Sequence, residues 1–293
     1  MNIKIYSDST DQTRTKRLYS YQWNRFRVIR PEEDRATFRN RTGWAETDLA
    51  ETLVLDAGCG MGRYTRAATA MGARVIGIDL SWSVSAAREL HADEPRAGFV
   101  RGDLLRTPFA DETFDAIYSI GVLDHTPDPK RAFLELARLL KPGGRIAIWV
   151  YRKERPALEA VMDLQRAIST RLPLPILVLL SKMSAPLGGL KRCLLFHENK
   201  LIARFGVALN VLTIGVSMHP DPESRVCDTL DWYAPKYASR HTVAEVSSWF
   251  AEAGLINVED LNRPASFHHQ GQGNGVNLSA RKPSVARDEA SRT

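Results

Sequence analysis

An α/β fold is predicted for this chain of 293 residues: a mostly parallel, doubly wound sheet of seven strands with a helical N-terminal arm and a helical insertion. Three observations carry the prediction. Residues 52–151 alternate short, continuously apolar runs with amphipathic stretches, as strands do when helices cover both faces of a sheet. Residues 152–240 are helical in character, broken by Pro and Gly, with no clear strand. A last helix and two strand-like runs follow.

Taken in order, TLVLDAG is a first strand ending at glycines, and GRYTRAATAMGA is a helix closed by Gly72. ARVIGIDLS is a second strand, and WSVSAARELHA a helix with Ser81 as its N-cap. GFVRGDL and FDAIYSIGVL are the third and fourth strands, with Pro127 soon after. PKRAFLELARLLKPGG is a helix stopped by Pro142 and two glycines, and RIAIWVY is strand five. HTVAEVSSWFAEAGL is a helix capped by Thr242 and ended by Gly254; LINVEDL and GVNLSARK close the sheet. The expected division is an arm over 1–50, a core over 51–151, an insertion over 152–240, the end of the core over 241–281 and a disordered tail over 282–293.

Hydrophobic residues are 44% and charged residues 25% of the chain, which excludes a disordered, collagen-like or coiled-coil protein. Cys59, Cys193 and Cys227 have neither the number of a disulfide framework nor metal-ligand spacing. A cytoplasmic location is the expectation. The opening MNIKIYSDST has no apolar core, so no leader is expected. The longest apolar stretches, 172–180 and 207–218, fall short of the ~20 residues of a bilayer span. Net charge is +6, and residues 1–41 hold ten basic against five acidic side chains. Such an arm either meets an anionic partner or is a solvated arginine-rich helix face; the second is the expectation.

The informative segment is VLDAGCGMGR, residues 54–63, which follows a strand and opens a helix. Its glycines allow a tight turn and close approach of a ligand to the backbone. The dinucleotide pattern G-x-G-x-x-G is not met, because Arg63 stands where its last glycine belongs. Asp56 precedes the first glycine; a carboxylate there repels a pyrophosphate and suits an ammonium. Asp79 ends strand two, where a carboxylate accepts from a ribose diol. Asp103 ends strand three, where it can accept from an adenine amino group, with the backbone of Leu104 beside the ring edge. Three acids at successive strand ends suit a nucleoside with a cationic amino-acid tail and no phosphates.

With these residues in view, the chain resembles a class I S-adenosylmethionine-dependent methyltransferase, with a Rossmann-like core. VLDAGCGMGR, GIDLS, GDLLRTPFADETFDAIYSIGVLDHTPDP and LARLLKPGGRIAIWVY match that family's motifs in order over about residues 50–151. The style is nearest to the subgroup that holds ubiquinone and menaquinone biosynthesis enzymes. The subgroup often has two histidines after strand four, and this chain has Asp124-His125. The resemblance implies S-adenosyl-L-methionine as cofactor. It implies that Asp56, Gly58, Gly60 and Gly62 line the methionine end and that Asp79 holds the ribose. Leu80, Asp103 and Leu104 would meet the adenine, and the Gly121 backbone would lie near the methionine portion.

Methyl transfer needs in-line placement first, and a hydroxyl acceptor also needs a base. Asp124 and His125 are the candidates, the alternative being a turn cap and a packed ring. His241 reads as a helix-start residue. His268 and His269 lack metal-pair spacing, and no metal is expected. The resemblance makes the insertion a lid over the acceptor, and its apolar runs suggest an apolar pocket, a packed helical layer or peripheral contact with lipid. Trp232, Tyr233 and Tyr237 are candidate acceptor contacts. Tyr21, Trp23 and Trp44 are candidates to line a closure over the cofactor, or else staples that pin the arm to the sheet. The expected partner is a small-molecule acceptor: a secondary metabolite, glycan or quinone-like lipid. RNA methylation and non-catalytic cofactor binding are the alternatives; no nucleic acid is expected.

Overall fold

The computed structural model describes residues 10–153, 156–212, 215–262 and 275–284. His268 and His269, and most of the tail expected to be disordered, lie outside these residues. The chain divides into two compact units. One comprises residues 29–152, 239–262 and 275–293, and the other 1–28, 153–238 and 263–274. The N-terminal arm, read as one piece, is shared between them, with the division after Val28.

The first unit holds the seven-stranded sheet. Its strands are β1 (Leu53–Ala57), β2 (Arg74–Asp79), β3 (Ala97–Arg101), β4 (Phe114–Ile120), β5 (Leu140–Tyr151), β6 (Ile256–Asp260) and β7 (Gly275–Arg281). Their order is β3-β2-β1-β4-β5-β7-β6. The first five run parallel, and β7 pairs antiparallel with both β5 and β6. The unit's helices are α2 (Pro31–Thr42), α3 (Arg63–Ala70), α4 (Ser83–Leu90), α5 (Pro129–Arg138) and α10 (Val243–Glu252).

Alternation along each strand feeds two cores. Leu55, Ile117 and Ile146 pack with Phe133 and Leu136 of α5 and Val246 and Phe250 of α10. Their neighbours Val54, Ala116, Tyr118 and Ala147 pack on the other side with Phe38 of α2, Trp44, and Tyr64 and Ala67 of α3. All these side chains are buried, and burial of an aliphatic or aromatic side chain stabilises by roughly 1.5–3 kcal/mol each.

Two boundaries differ from the expectation. The helix expected to run to Pro142 ends at Arg138, and β5 begins at Leu140. Pro142, Gly143 and Gly144 lie inside the strand, where the pairing with β4 shifts register between Phe114 and Ala116; such irregularities accommodate Pro and Gly. Ser81 sits one residue before the cap position of α4, yet its Oγ still accepts from Ser83 N at 3.2 Å. Thr242 caps α10 by accepting from Glu245 N, as expected.

The second unit is helical: α1 (Thr10–Arg25), α6 (Pro156–Ser169), α7 (Leu174–Leu195), α8 (Lys200–Leu212) and α9 (Pro222–Tyr233). Leu18 and Phe26 meet Leu177, Val178 and Ala185 of α7 and Val226 and Leu230 of α9 in its core. A Cβ on Gly188 of α7 would lie 2.1 Å from the Ser217 carbonyl, so only glycine permits that approach. The expectation that no stretch reaches the length of a bilayer span needs correction. α7 continues for 22 residues through Pro186 and is long and apolar enough for one by length and composition.

Candidate functional site

The sheet reverses its strand order between β1 and β4, the point where open α/β sheets bind ligands. The loop after β1 carries Gly58, Gly60 and Gly62 at φ +89°, +53° and +85°. A Cβ on Gly58 would lie 2.3 Å from a methyl of Val122, and at that φ a side chain is strained as well. Gly58 and Cys59 donate their N–H groups to the Ile78 carbonyl at 2.8 and 3.0 Å. The loop is thereby fastened to the end of β2.

That fastening fixes Asp79. Its Oδ2 accepts from Gly60 N at 2.9 Å, and its Oδ1 accepts from Ser81 N at 2.8 Å and Ser81 Oγ at 2.7 Å. A carboxylate oxygen has two lone-pair sites, so Oδ2 can still accept from one hydroxyl of a diol. Leu80 follows it, half-buried. Asp103 is held by its own turn, with Oδ1 accepting from Leu105 N at 2.9 Å. The Leu104 side chain belongs to the core, so only its backbone can address a ring edge.

Asp56 is different. It is 3% exposed, and its Oδ2 accepts from Thr65 Oγ at 2.6 Å. Burial pushes its carboxyl up to about 7; the Thr65 hydrogen bond and neighbouring Tyr118 oppose that rise, and the charge of Asp79 adds to it. The buried Tyr118 hydroxyl is driven well above its ordinary value by burial and by Asp56. A cation brought to this pair would favour the ionised carboxylate.

Gly121 ends β4 at φ +67° and donates to the Trp149 carbonyl at 3.0 Å. The Trp149 ring lies 3.5 Å from the position of a Cβ on Gly121. Over that ring, at 4.7 Å, stands the Arg41 guanidinium, which burial pulls down to about 10. Arg41, Thr65 and Tyr118 were not singled out in the sequence. Thr65 alone had a local signal, a hydroxyl in the first turn of the helix that follows the loop.

The candidate bases Asp124 and His125 lie just after β4. Asp124 is fully buried; its Oδ1 accepts from Tyr151 N at 2.9 Å, and its carbonyl accepts from Ser239 N at 3.1 Å. His125 is 7% exposed, its ring edge-on to Tyr151 at 5.5 Å. Asp124 thereby holds the end of β5 and the chain entering α10, and His125 packs beside the last residue of β5. Trp44 is 5% exposed and packs edge-on against Phe38 and Tyr118. His241 is the helix-start residue expected, with Nδ1 2.8 Å from Glu245 Oε1 and Nε2 2.9 Å from Ser239 Oγ.

Tyr21, Trp23, Trp232, Tyr233 and Tyr237 belong to the helical unit. The Tyr233 hydroxyl donates to the Gly215 carbonyl at 2.8 Å, and the Trp232 carbonyl accepts from Arg166 at 2.7 Å. Tyr21 meets Phe26 edge-on at 6.5 Å. Tyr233 and Tyr21 thus have packing roles inside their own unit.

Residues 55–148 match the family model described as a methyltransferase domain. The chain is 42% identical over 114 residues to a demethylmenaquinone methyltransferase of Thermobifida fusca, covering 38% of this chain and 48% of that protein. It is 32% identical over 149 residues to a sterol 24-C-methyltransferase of Gibberella zeae, covering 45% and 38%. A tocopherol O-methyltransferase of Arabidopsis thaliana is 37% identical over 122 residues, covering 39% and 35%. The chain spans less than half the length of these curated relatives. Among solved structures, a Haemonchus contortus phosphoethanolamine N-methyltransferase in complex with S-adenosylhomocysteine shares the fold. Its TM-score is 0.53 at 14% identity, covering 94% of this chain and 61% of that one. A Thermotoga maritima methyltransferase matches with TM-score 0.50 at 16% identity, covering 92% and 99%.

Proposed function

We propose that the protein moves a methyl group from S-adenosylmethionine to a small apolar acceptor, through a methyltransferase domain matched over residues 55–148. The observation that carries this reading is the run of three carboxylates, Asp56, Asp79 and Asp103, at or just after the ends of β1, β2 and β3. The residues fit the cofactor. Asp56, buried and close to neutral by itself, suits an ammonium, whose charge would favour the ionised carboxylate. Asp79, oriented by Gly60 and Ser81, suits a ribose diol. Asp103 and the Leu104 backbone suit an adenine, and Arg41 beside Trp149 supplies a cation for a carboxylate. The bound cofactor supplies an electrophilic methyl on a sulfonium, which is already a good leaving group.

The chain's part is then to bind, orient and keep water out. Gly58 lets the loop close on Val122, and Gly121 keeps the end of β4 free of a side chain beside the Trp149 ring. Methyl transfer needs placement first, and an activated ring carbon, an alkene or a phenolate needs little else. The relatives named for menaquinone, sterol and tocopherol methylation support an apolar acceptor class.

Calorimetric titration with S-adenosylmethionine, S-adenosylhomocysteine and NAD tests the cofactor. Micromolar binding of the first two and none of NAD is expected; NAD binding alone would overturn the reading. Transfer of a radiolabelled methyl group into an organic-extractable fraction of cell metabolites tests the acceptor. Label that remains with RNA would overturn the small-molecule class.

A further inference from the structure

We propose that the α7–α8 hairpin is a docking surface for an anionic lipid bilayer, on which the protein lies without crossing it. The inference concerns the helical unit alone and does not depend on the acceptor.

The observation is a helix that is apolar on two opposed sides. One stripe of α7, including Leu177, Val178, Ser181, Ala185, Gly188 and Lys191, is buried in its own unit. The other stripe faces solvent: Leu179 is 56% exposed, Met183 68% and Leu190 52%, with Ile176 and Leu180 beside them. Positions 179, 183 and 190 recur at helical spacing, where a solvent-facing helix places polar residues. α8 packs on the last turn of α7 at Gly206, whose Cβ would lie 2.6 Å from Leu195 N. α8 adds Leu201, 75% exposed, and Phe205, 62% exposed. Contiguous apolar exposure of this kind marks an interaction surface.

Charge identifies the occupant. Residues 171–204 contain six basic side chains and one acidic, Glu198. Of the basic ones, Arg171, Lys182, Lys200 and Arg204 are exposed. A second copy of the chain would set one cationic surface against another. An anionic bilayer takes both features, with leucine, methionine and phenylalanine entering the acyl boundary and the cations meeting headgroups. Spanning is inconsistent with the packing, because Gly188 closes on the Ser217 carbonyl and Lys191 is buried within the unit.

The test is co-sedimentation of the full chain with phosphatidylcholine vesicles, with and without phosphatidylserine, at low and high salt. Binding to the anionic vesicles that weakens with salt is expected. The double variant Leu179→Glu, Met183→Glu should lower the partition coefficient at least about tenfold, since it removes two inserted apolar groups. Lys200→Glu with Arg204→Glu should remove the preference for phosphatidylserine. These positions are exposed, so thermal midpoint and S-adenosylhomocysteine affinity should stay at parental values, which separates loss of docking from loss of fold. Failure of the cofactor-competent protein to sediment with anionic vesicles would overturn the proposal. So would binding indifferent to the 179/183 variant, or a concentration-dependent dimer that this variant dissolves.

Discussion

Asp56 couples the site's chemistry to pH. Its folded value of about 7 lies above the ordinary 3.8, so the native chain holds this proton more tightly than the unfolded chain does. The group therefore leaves stability untouched below about pH 4 and weakens the fold as pH rises toward about 7, by at most about 1.4 kcal/mol per unit. Asp56→Asn should gain thermal midpoint over the parent at about pH 8 and little at about pH 4, as melting curves would read, while losing cofactor affinity. Cofactor binding near pH 6 should release a proton, seen as a calorimetric heat that changes with buffer ionisation enthalpy. Asp79→Asn keeps the shape and loses the charge; a fall in S-adenosylmethionine affinity of about 30-fold or more is expected in calorimetry. Asp124 and His125 yield a contrasting pair. His125→Gln should keep kcat within about threefold, with an unchanged pH–rate profile. Asp124→Ala should lower the thermal midpoint, because it strands the Tyr151 N–H, at a cost of about 1–3 kcal/mol.

At the scale of elements, Gly58 sets how closely the glycine loop approaches Val122. Gly58→Ala places a methyl against Val122 at a left-handed φ, and a loss of about 1–3 kcal/mol is expected in denaturant titration. Adding Val122→Ala should recover the steric part and leave the backbone part. This loop was legible in the sequence because strand, glycines and helix stand next to one another in the chain. So were the seven strands, since each is a short apolar run bounded by Gly, Pro or a helix. The start of β5 was not, because Pro142-Gly-Gly is locally a helix stop and only pairing with β4 draws it into the sheet. The role of Asp124 was hidden for a similar reason: its partners, Tyr151 and Ser239, are 27 and 115 positions away. α7 was misjudged because Pro186 and Gly188-Gly189 read as breaks, whereas the close approach to Ser217 is what the glycine serves.

For the whole molecule, ligand linkage is the simplest expectation. S-adenosylhomocysteine at a hundredfold excess over its Kd should stabilise the unit that binds it by about 2.7 kcal/mol, read as a rise in thermal midpoint. If the helical unit melts separately, its transition should stay where it was. The units are not consecutive in the chain, and that has a consequence for how the protein is made. α1 leaves the ribosome well before its partners: Arg14 donates to the Leu172 carbonyl and Gln22 to Cys227 Sγ, 158 and 205 residues downstream. At roughly 5–20 residues per second, the first helix waits about 10–40 seconds for Cys227 to be synthesised. Until α7 follows, Leu18 and Phe26, buried in the finished protein, lack the side chains of their own unit that cover them. The N-terminal helix of the nascent chain is therefore a natural site for a chaperone to hold, and deleting it should speed the folding of the sheet unit's share of the chain more than it harms it.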